Sequence, residues 1–190
     1  MLTPAETTFA KQMVSEAIAS GHPWPDYAAA EACLESFSYS SPTGQSGLAQ
    51  RDKDVFGLKA PEWWTGQIDT VQTREVLNGA SVMVSAKWPV FETYADAFAA
   101  RLHTLQNLPA YYAEALAATT GEDFVRLVSA KWGVGNGPNG NFPLPMTAAH
   151  PIIIFPRGAF QFLSARWSTD PTRAQQAIKI HDQHPEIFHT

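Results

Sequence analysis

Glu35 is the residue whose type and surroundings first indicate chemistry. It stands in "CLES", at the end of an apolar run that indicates a helix, and a stretch rich in Ser, Gly and Pro follows it. Apolar neighbours such as Cys33 and Leu34 help a carboxyl group to keep its proton near neutral pH, as a general acid must. A glutamate at the C-terminal end of a helix also opposes the helix macrodipole. We therefore interpret Glu35 as an acid that faces a cleft, rather than as a surface carboxylate.

Two predicted helices lead up to this residue. The first has Thr3 as its N-cap and Pro4 at its first position, and Gly21 ends it. The second has Asp26 as its N-cap and carries Glu35 close to its end. The acid is therefore expected at the junction between a helix and a turn-rich segment.

Residues 54–88 differ in pattern from the helical segments. They contain β-branched residues with short polar breaks, and "LNGAS" at 77–81 has an Asn-Gly pair that tolerates the positive φ angles of a tight turn. We predict a small antiparallel β-lobe here. Helices are predicted over 93–106, 109–118, 122–131 and 157–166, with a last helix beginning at Asp170 and Pro171. Residues 133–156 are predicted to form a long inserted loop.

The bulk composition excludes several classes of protein. The chain has 190 residues, a formal charge of −5 and an isoelectric point near 5.6, which argues against a general binder of nucleic acid. No apolar stretch reaches the roughly 18 residues that a membrane helix needs. Its first residues lack the basic start and apolar run of a signal peptide. We expect one α+β domain over residues 1–190, with a cleft between its lobes.

Other sequence patterns do not support a cofactor or a metal. The C-terminal histidines His181, His184 and His189 match no standard ligand spacing. The Gly-rich stretch after Trp132 lacks the Gly-Lys-Ser/Thr of a phosphate-binding loop, and no Gly-x-Ser-x-Gly elbow is present. Cys33 is the only cysteine, so no intrachain disulfide can form. No cofactor and no metal are therefore expected.

Six short motifs occur in an order typical of one family. They are "CLES" (33–36), "GQSGLAQ" (44–50), "FGLKA" (56–60), "WTG" (64–66), "TREV" (73–76) and "WSTDP" (167–171). Together they resemble the glucosaminidase domain of glycoside hydrolase family 73. The resemblance implies a lysozyme-like α+β fold, with a mostly helical lobe, a small antiparallel β-lobe and a cleft between them. It also implies an endo-β-N-acetylglucosaminidase that cleaves the β-1,4-linked glycan of peptidoglycan and uses no metal or organic cofactor.

The resemblance assigns roles to individual residues. Glu35 takes the role of general acid, and Glu75 in "TREV" that of the base that activates water. Asp69 is the reserve candidate for the base, and assistance by the acetamido group of the substrate remains open. The residues predicted to bind substrate are Tyr39, Lys59, Trp64, Trp88 and Trp167. Trp167 stands where the family has a tyrosine, and indole has no phenolic oxygen, which Tyr39 could supply instead.

Two alternatives to this function remain open. One is a muramidase or a lytic transglycosylase that acts on the same glycan. The other is a glycan-binding relative with weak catalysis, which the tryptophan at position 167 motivates. In each case the expected partner is the glycan strand of peptidoglycan, and a monomer is expected. Without a signal peptide, the route to the cell wall would be a holin, a phage particle or a dedicated secretion system.

Overall fold

Eight helices and five strands make up the described part of the chain. The structure is a computed structural model that describes the backbone of residues 2–38, 41–61, 63–77, 80–107, 109–129, 132–137, 140–145, 160–163 and 172–189. The helices are α1 (Pro4–Ala19), α2 (Pro25–Ser36), α3 (Gly47–Asp52), α4 (Tyr94–Gln106), α5 (Pro109–Leu116), α6 (Gly121–Val128), α7 (Arg173–Gln183) and α8 (Pro185–Phe188). The strands are β1 (Ile68–Leu77), β2 (Ala80–Pro89), β3 (Trp132–Gly137), β4 (Gly140–Pro145) and β5 (Phe160–Leu163). Among these elements, no helix combines the length and the apolar character needed to cross a bilayer.

Helix α1 begins and ends as its sequence predicts. Thr3 and Glu6 form a reciprocal capping box, in which each side chain accepts a hydrogen bond from the other residue's backbone N–H. The helix closes at Ser20, and Gly21 follows with a φ of +71°, a left-handed conformation that glycine adopts without steric cost. Phe9 and Met13 lie on its buried face.

Helix α2 begins two residues earlier than the predicted cap Asp26 implies. Trp24 is the N-cap residue and Pro25 takes the first helical position, so the prediction that Asp26 caps the helix was wrong. Proline suits this position because its ring presets the helical φ angle and the missing N–H would have no partner there. Asp26 lies instead in the first turn, where its charge complements the helix dipole and its Oδ2 lies 3.2 Å from Nε2 of His181.

Strands β1 and β2 form the predicted hairpin. They pair antiparallel from Ile68 opposite Pro89 to Leu77 opposite Ala80, and two residues separate the strands at the turn. The β-lobe is shorter than predicted, because residues 54–60 form turns rather than a strand. Asp54 Oδ1 accepts hydrogen bonds from two backbone N–H groups of this segment, each at 3.1 Å, and these bonds replace those of a ladder.

The C-terminal half contains a second sheet that the sequence analysis missed. Strand β3 pairs antiparallel with both β4 and β5, in the order β4-β3-β5. The predicted loop at 133–156 therefore contains a hairpin, and the helix predicted over 157–166 was wrong, because "FQFL" alternates aromatic and polar residues with the period of a strand. Helix α7 starts at Arg173, after Thr172 as N-cap. The predicted cap Asp170 and Pro171 lie outside the described residues.

The core consists of two apolar clusters, and α2 contacts both. One cluster joins residues of α1, α2, α4 and α8 with the segment at 55–58. The second joins the end of α4 with α5, α6 and α7, and Trp24, Tyr27 and Leu34 pack against it. Helix α2 also packs along α7. The last turns of α2 therefore lie beside the N-terminal end of α7, and this contact forms the candidate site.

Candidate active site

Glu35 and Arg173 form an ion pair at the end of α2. Arg173 is the first residue of α7, and its Nε lies 2.5 Å from Oε1 of Glu35. The Arg173 side chain is only 2% exposed, whereas that of Glu35 is 28% exposed. The side chain predicted to carry the acid is therefore partly exposed, and a buried cation binds its carboxylate.

Glu31 lies one helical turn before Glu35 and binds two guanidinium groups. Its Oε1 lies 2.5 Å from Nη1 of Arg173, and its Oε2 lies 2.5 Å from Nη2 of Arg101 on α4. All three side chains are almost or completely buried. Arg101 also stacks on the ring of Phe56, with 4.5 Å between its guanidinium carbon and the ring centroid. Arg173 Nη1 donates a further hydrogen bond of 2.9 Å to the hydroxyl of Ser129 at the end of α6.

The charges in this cluster compensate each other. Burial alone would raise the pKa of Glu31, but the charges and hydrogen bonds of Arg101 and Arg173 outweigh it and lower that pKa below its usual range. Burial likewise acts to lower the pKa of Arg173, and the two glutamates outweigh it and raise the value. Two carboxylates and two guanidinium groups thus form a cluster without net charge, which makes their burial tolerable.

The loop after Glu35 is anchored at several points. The Ser36 hydroxyl donates to the backbone carbonyl of Val55 at 2.9 Å, and the Tyr94 hydroxyl donates to Oε1 of Gln45 at 2.6 Å. Gly44 has a φ of +70°, and a Cβ atom there would lie 2.9 Å from the backbone nitrogen of Glu6. Only glycine fits this close approach. Tyr39, which we predict to bind substrate, lies outside the described residues.

Asp54 lies buried beneath the same region. Burial raises its pKa to about 7, although the backbone N–H groups of the following turn favour the ionised form. Its Oδ1 accepts two hydrogen bonds, while its Oδ2 has no partner among the described residues. Asp54 is therefore a buried acid that titrates close to neutral pH, a property that the sequence analysis did not anticipate.

The two candidates for the base, Glu75 and Asp69, lie at opposite ends of strand β1. Glu75 pairs with Val82, seven positions after Ile68, and a strand that rises about 3.3 Å per residue puts it roughly 23 Å from the base of β1. Asp69 lies near that base, and its Oδ2 is 2.6 Å from Nη2 of Arg51. Asp69, the reserve candidate, thus already forms an ion pair with Arg51. Glu75 lies instead near the tip of the β-lobe.

Trp64 lies in a groove of about 770 Å³ that does not include Glu35. Its indole nitrogen donates to the carbonyl of Gln67 at 2.9 Å, and its ring packs against Phe91. One wall is a face of α4 that includes Asp96, Ala99 and His103, and Trp63, which is 38% exposed, packs against His103. Arg101 lies on the opposite face of α4 and reaches Glu31. The structure therefore does not bring Trp64 and Glu35 into one pocket.

The remaining predicted residues are placed as follows. Lys59 is exposed in the segment that leads to the hairpin, and Trp88 is half-buried on β2 opposite Asp69. Neither lines the groove around Trp64. Trp167 lies outside the described residues.

The C-terminal histidines form a cluster different from the set considered in the sequence. His181, Asp182 and His189 each offer a metal-ligand atom, and these atoms lie within 4.8 Å of one another. Both ring nitrogens of His181 already face carboxylates, Nδ1 towards Asp182 and Nε2 towards Asp26. His184 lies instead beside Glu186. Both ring nitrogens of His181 therefore have hydrogen-bond partners within the protein.

Sequence reasoning missed Glu31, Arg101 and Arg173. For two of the three, the sequence contains a local signal of burial. Glu31 interrupts the alanine-rich run of α2 one turn before Glu35, and Arg101 stands in the apolar stripe of α4 between Phe98 and Leu105. A charged residue at a core position needs a partner of opposite charge. The partner Arg173 had no comparable local signal, because α7 is polar at its start.

Comparisons with known proteins agree with this architecture. Peptidoglycan hydrolase FlgJ of Salmonella typhimurium is 35% identical over 86 residues, which are 45% of this chain and 27% of FlgJ. The chain thus spans about a quarter of that relative. A C-terminally truncated glycoside hydrolase domain of the same FlgJ superposes with a TM-score of 0.55 at 19% identity, covering 95% of this chain and 98% of that domain. The catalytic domain of the autolysin Auto from Listeria monocytogenes gives a TM-score of 0.62 at 16% identity, covering 97% and 86%.

These likenesses confirm the fold predicted from the sequence. The lysozyme-like α+β class, mostly helical with a small antiparallel β-lobe, is the one that the solved glycoside hydrolase domains share. The sequence model of one family covers most of the chain, from residue 10 to residue 185. The chain therefore belongs to the glucosaminidase family, described as mannosyl-glycoprotein endo-beta-N-acetylglucosaminidase, and is a glycoside hydrolase.

Proposed function

We propose that this protein is an endo-β-N-acetylglucosaminidase that hydrolyses the β-1,4 bond after N-acetylglucosamine in peptidoglycan. The observation that carries the proposal is the state of Glu35, a solvent-open carboxyl group fixed by a buried guanidinium at the end of α2. FlgJ, with which the chain shares a segment of 86 residues, is itself a peptidoglycan hydrolase. The family match supports hydrolysis of a glycosidic bond as the reaction type. The position of Glu35 supports its role as the general acid.

Glu35 acts as the general acid in this proposal. A glycosidic bond breaks when a carboxylic acid protonates the leaving oxygen as positive charge develops on the sugar ring. One side of Glu35 is accessible to a polymer that lies on the surface, so the proton can be delivered there. The other side contacts Arg173, which stabilises the negative charge that remains after proton transfer.

Glu75 is the proposed base that activates water. An inverting enzyme needs roughly 6.5–9.5 Å between its two carboxyl groups, which leaves room for the water. Glu75 lies high on the β1–β2 hairpin, so the hairpin must approach the sugar for this role. The Asp69 carboxylate is less suited because Arg51 engages it. If the hairpin stays away, the acetamido group of the substrate would serve as the nucleophile.

Aromatic and basic side chains are proposed to bind the glycan. Trp64 and Trp88 would offer flat faces to sugar rings, and Lys59 would contact acetamido or carboxylate groups. Tyr39 and Trp167 are proposed to complete the site near the reacting sugar. The proposed partner is the glycan strand of peptidoglycan. We propose that the protein binds it as a monomer and uses no metal or cofactor.

A second candidate function is that of a lytic transglycosylase or a muramidase. The observation in its favour is that Glu35 is the one predicted catalytic carboxyl group at the end of α2, while Glu75 is far along the hairpin. A lytic enzyme can work with a single acid, because the sugar's own hydroxyl attacks instead of water. Glu75→Gln would then leave the activity intact.

The proposed site of action is the bacterial cell wall. For the route to it we keep the sequence-based proposal of a holin, a phage particle or a dedicated secretion system. Secretion assays with the full-length protein in its native host would distinguish these routes, because holin dependence, virion association and dependence on a secretion machine are separately measurable.

Digestion of purified peptidoglycan tests the proposed function. Wild type, Glu35→Gln and Glu75→Gln are compared after borohydride reduction and mass spectrometry of the soluble fragments. Reduced N-acetylglucosamine ends from the wild type but not from Glu35→Gln are expected, with Glu16→Gln on α1 as the matched control. Reduced muramic ends or anhydro products would replace the proposed specificity with the second candidate. Wall binding without any release of fragments would indicate a glycan-binding relative.

A further inference from the structure

We propose that Arg173 is a positioning residue for the general acid: it binds Oε1 of Glu35 and thereby assigns the transferred proton to Oε2. This inference rests on the proposed function, because it concerns the same carboxyl group. It adds a residue from the far end of the chain to the catalytic machinery. The supporting observations are the fixed geometry of Arg173, the chemistry of a carboxyl group bound on one oxygen, and the charges around the pair.

The Arg173 guanidinium is fixed in orientation from several sides. Nε binds Glu35, while Nη1 binds both Glu31 and the hydroxyl of Ser129. These contacts come from two other helices, α2 and the end of α6, and the side chain itself starts at the first residue of α7. A guanidinium is planar, so fixing two of its nitrogens fixes the direction of the third. The Glu35 carboxyl group is therefore bound along one defined direction.

Binding by a cation distinguishes the two oxygens of Glu35. A protonated carboxyl group has one O–H donor and one carbonyl oxygen, and only the latter accepts well from a guanidinium N–H. With Oε1 occupied by Arg173, the proton resides on Oε2. The side chain is 28% exposed, so we infer that Oε2, the oxygen that Arg173 does not bind, is the one that a bound glycan reaches. In the protonated form of Glu35, the proton is thus placed in advance on the oxygen that must deliver it.

The same contact affects the strength of the acid. When Glu35 gives its proton to the glycosidic oxygen, a negative charge forms 2.5 Å from the Arg173 nitrogen. The cation stabilises this charge and makes proton transfer easier.

The other charged groups that face the pair allow Arg173 to be buried. On α2, Glu31 compensates the Arg173 charge, and from α4 Arg101 engages the second oxygen of Glu31. Tyr112 on α5 is a further titratable group that interacts with Arg101. Arg101 therefore matches Arg173 in burial and in its bond to Glu31, but the ion pair that it forms is with Glu31 and not with Glu35. This makes Arg101 a matched control.

The test compares Arg173→Gln with Arg101→Gln in the full-length protein on soluble peptidoglycan fragments. Both changes remove a buried guanidinium from Glu31, but only the first removes it from Glu35. For Arg173→Gln we expect a fall in kcat of about 10- to 100-fold with little change in KM. Arg173→Lys, which keeps the positive charge, is expected to restore part of the lost kcat. Arg101→Gln is expected to lower kcat less than Arg173→Gln does.

A double-mutant cycle measured by urea unfolding tests the pair without any activity. Glu35→Gln is expected to shift the unfolding midpoint less in the Arg173→Gln background than in wild type. In the Arg101→Gln background its effect should equal that in wild type. If the two changes at 35 and 173 are simply additive, the ion pair does not exist in solution and the inference fails.

The outcomes separate this inference from the proposed function. If Glu35→Gln is inactive while Arg173→Gln keeps the kcat of wild type, the proposed function stands and the positioning role of Arg173 is overturned. An equal fall of kcat in Arg173→Gln and Arg101→Gln would overturn it too, because the effect would then arise from the fold. If wild type releases no fragments, the proposed function fails and the positioning role fails with it.

Discussion

Glu31 and Glu35, one turn apart on α2, share a single guanidinium, that of Arg173, at 2.5 Å from each carboxylate. Two like charges at this spacing would destabilise an isolated helix. The shared cation converts the repulsion into a bridge between α2 and α7. The two carboxylates differ in exposure, since the Glu31 side chain is fully buried and that of Glu35 is not. One therefore supports the fold, and the other is available for chemistry.

This difference in exposure predicts unequal effects of the same substitution. Glu31→Gln leaves Arg101 and Arg173 buried without their shared carboxylate, so we expect the free energy of unfolding to fall by about 3–5 kcal/mol. Glu35→Gln removes a partly exposed partner, and a loss of about 1 kcal/mol or less is expected. Urea unfolding of both variants at pH 7 measures the two values. Equal losses would show that Glu31 is hydrated in solution.

Asp54 is expected to make the stability of the protein decrease as the pH rises. The folded protein keeps its proton up to about pH 7, whereas the unfolded chain releases it near pH 3.8. Between these values the folded state binds more protons, so the free energy of unfolding falls as the pH rises from about 4 to about 7. Asp54→Asn keeps an oxygen for both backbone N–H groups and cannot ionise. It should be more stable than wild type at pH 7, by at most about 4 kcal/mol, and close to wild type at pH 4.

The matched control for Asp54 is Asp52→Asn. Asp52 lies two residues away and is also buried, but Arg51 binds it through two hydrogen bonds. Loss of its charge removes this ion pair. Although the Asp52 charge also raises the pKa of Asp54, Asp52→Asn should stabilise the protein at pH 7 far less than Asp54→Asn does. Chemical unfolding at several pH values compares the variants. If Asp54→Asn and wild type showed parallel pH profiles, the buried carboxyl group would not titrate in the expected range.

His181 links α7 to the start of α2 in a manner that depends on pH. Burial would lower its pKa, but the hydrogen bonds and charges of Asp26 and Asp182 outweigh it and raise the value above 6.5. The bond thus stabilises the protein fully below about pH 6.5, and the contribution is lost as the pH rises through the folded-state pKa.

Asp26→Asn tests this pH dependence. It should lower the Tm by about 2–4 °C at pH 6, and by less at pH 9. Glu186→Gln serves as a control, because its partner His184 lies in an exposed contact at 3.4 Å. Thermal unfolding at the two pH values gives the comparison. A Tm difference that is the same at pH 6 and pH 9 would argue against a protonated His181 in the folded protein.

Gly44 is predicted to be intolerant of any side chain. Its positive φ angle and the 2.9 Å approach to the backbone of Glu6 together oppose a Cβ atom. Gly44→Ala should therefore cost about 1–3 kcal/mol of unfolding free energy and reduce kcat, because the loop after Glu35 would shift. Gly47→Ala is the control, since a Cβ at that first position of α3 meets no atom within 4 Å, and it should be neutral or slightly stabilising. Similar losses in both variants would contradict the argument.

Local signals in the sequence predicted much of the scaffold. The capping box of α1, the hairpin around residues 77–81 and the start of α4 at Tyr94 each depend on neighbours within a few residues. The misassigned segments had ambiguous local patterns. Residues 54–60 contain β-branched and aromatic residues, yet the Asp54 side chain bonds the backbone into turns. The position of Glu35 at the end of α2 was predicted correctly, while its role stays a prediction.

The charge cluster could not be predicted because its members are far apart in the sequence. Glu35 and Arg173 are separated by 138 residues, and Glu31 and Arg101 by 70. No local pattern specifies which buried cation meets which buried anion, since that depends on how α2, α4 and α7 pack. The apolar stripe of α4 holds a signal for the burial of Arg101, but it does not indicate which carboxylate Arg101 binds.

The place of Arg173 in the chain has a consequence for biosynthesis. A ribosome makes the chain from the N-terminus, so α1, α2 and the hairpin emerge long before residue 173. Until then Glu35 has no guanidinium beside it, and Glu31 has only that of Arg101. The proposed positioning of the acid therefore requires that α7 has been synthesised and has packed against α2, however well the early helices fold. A product terminated before α7 would lack this ion pair.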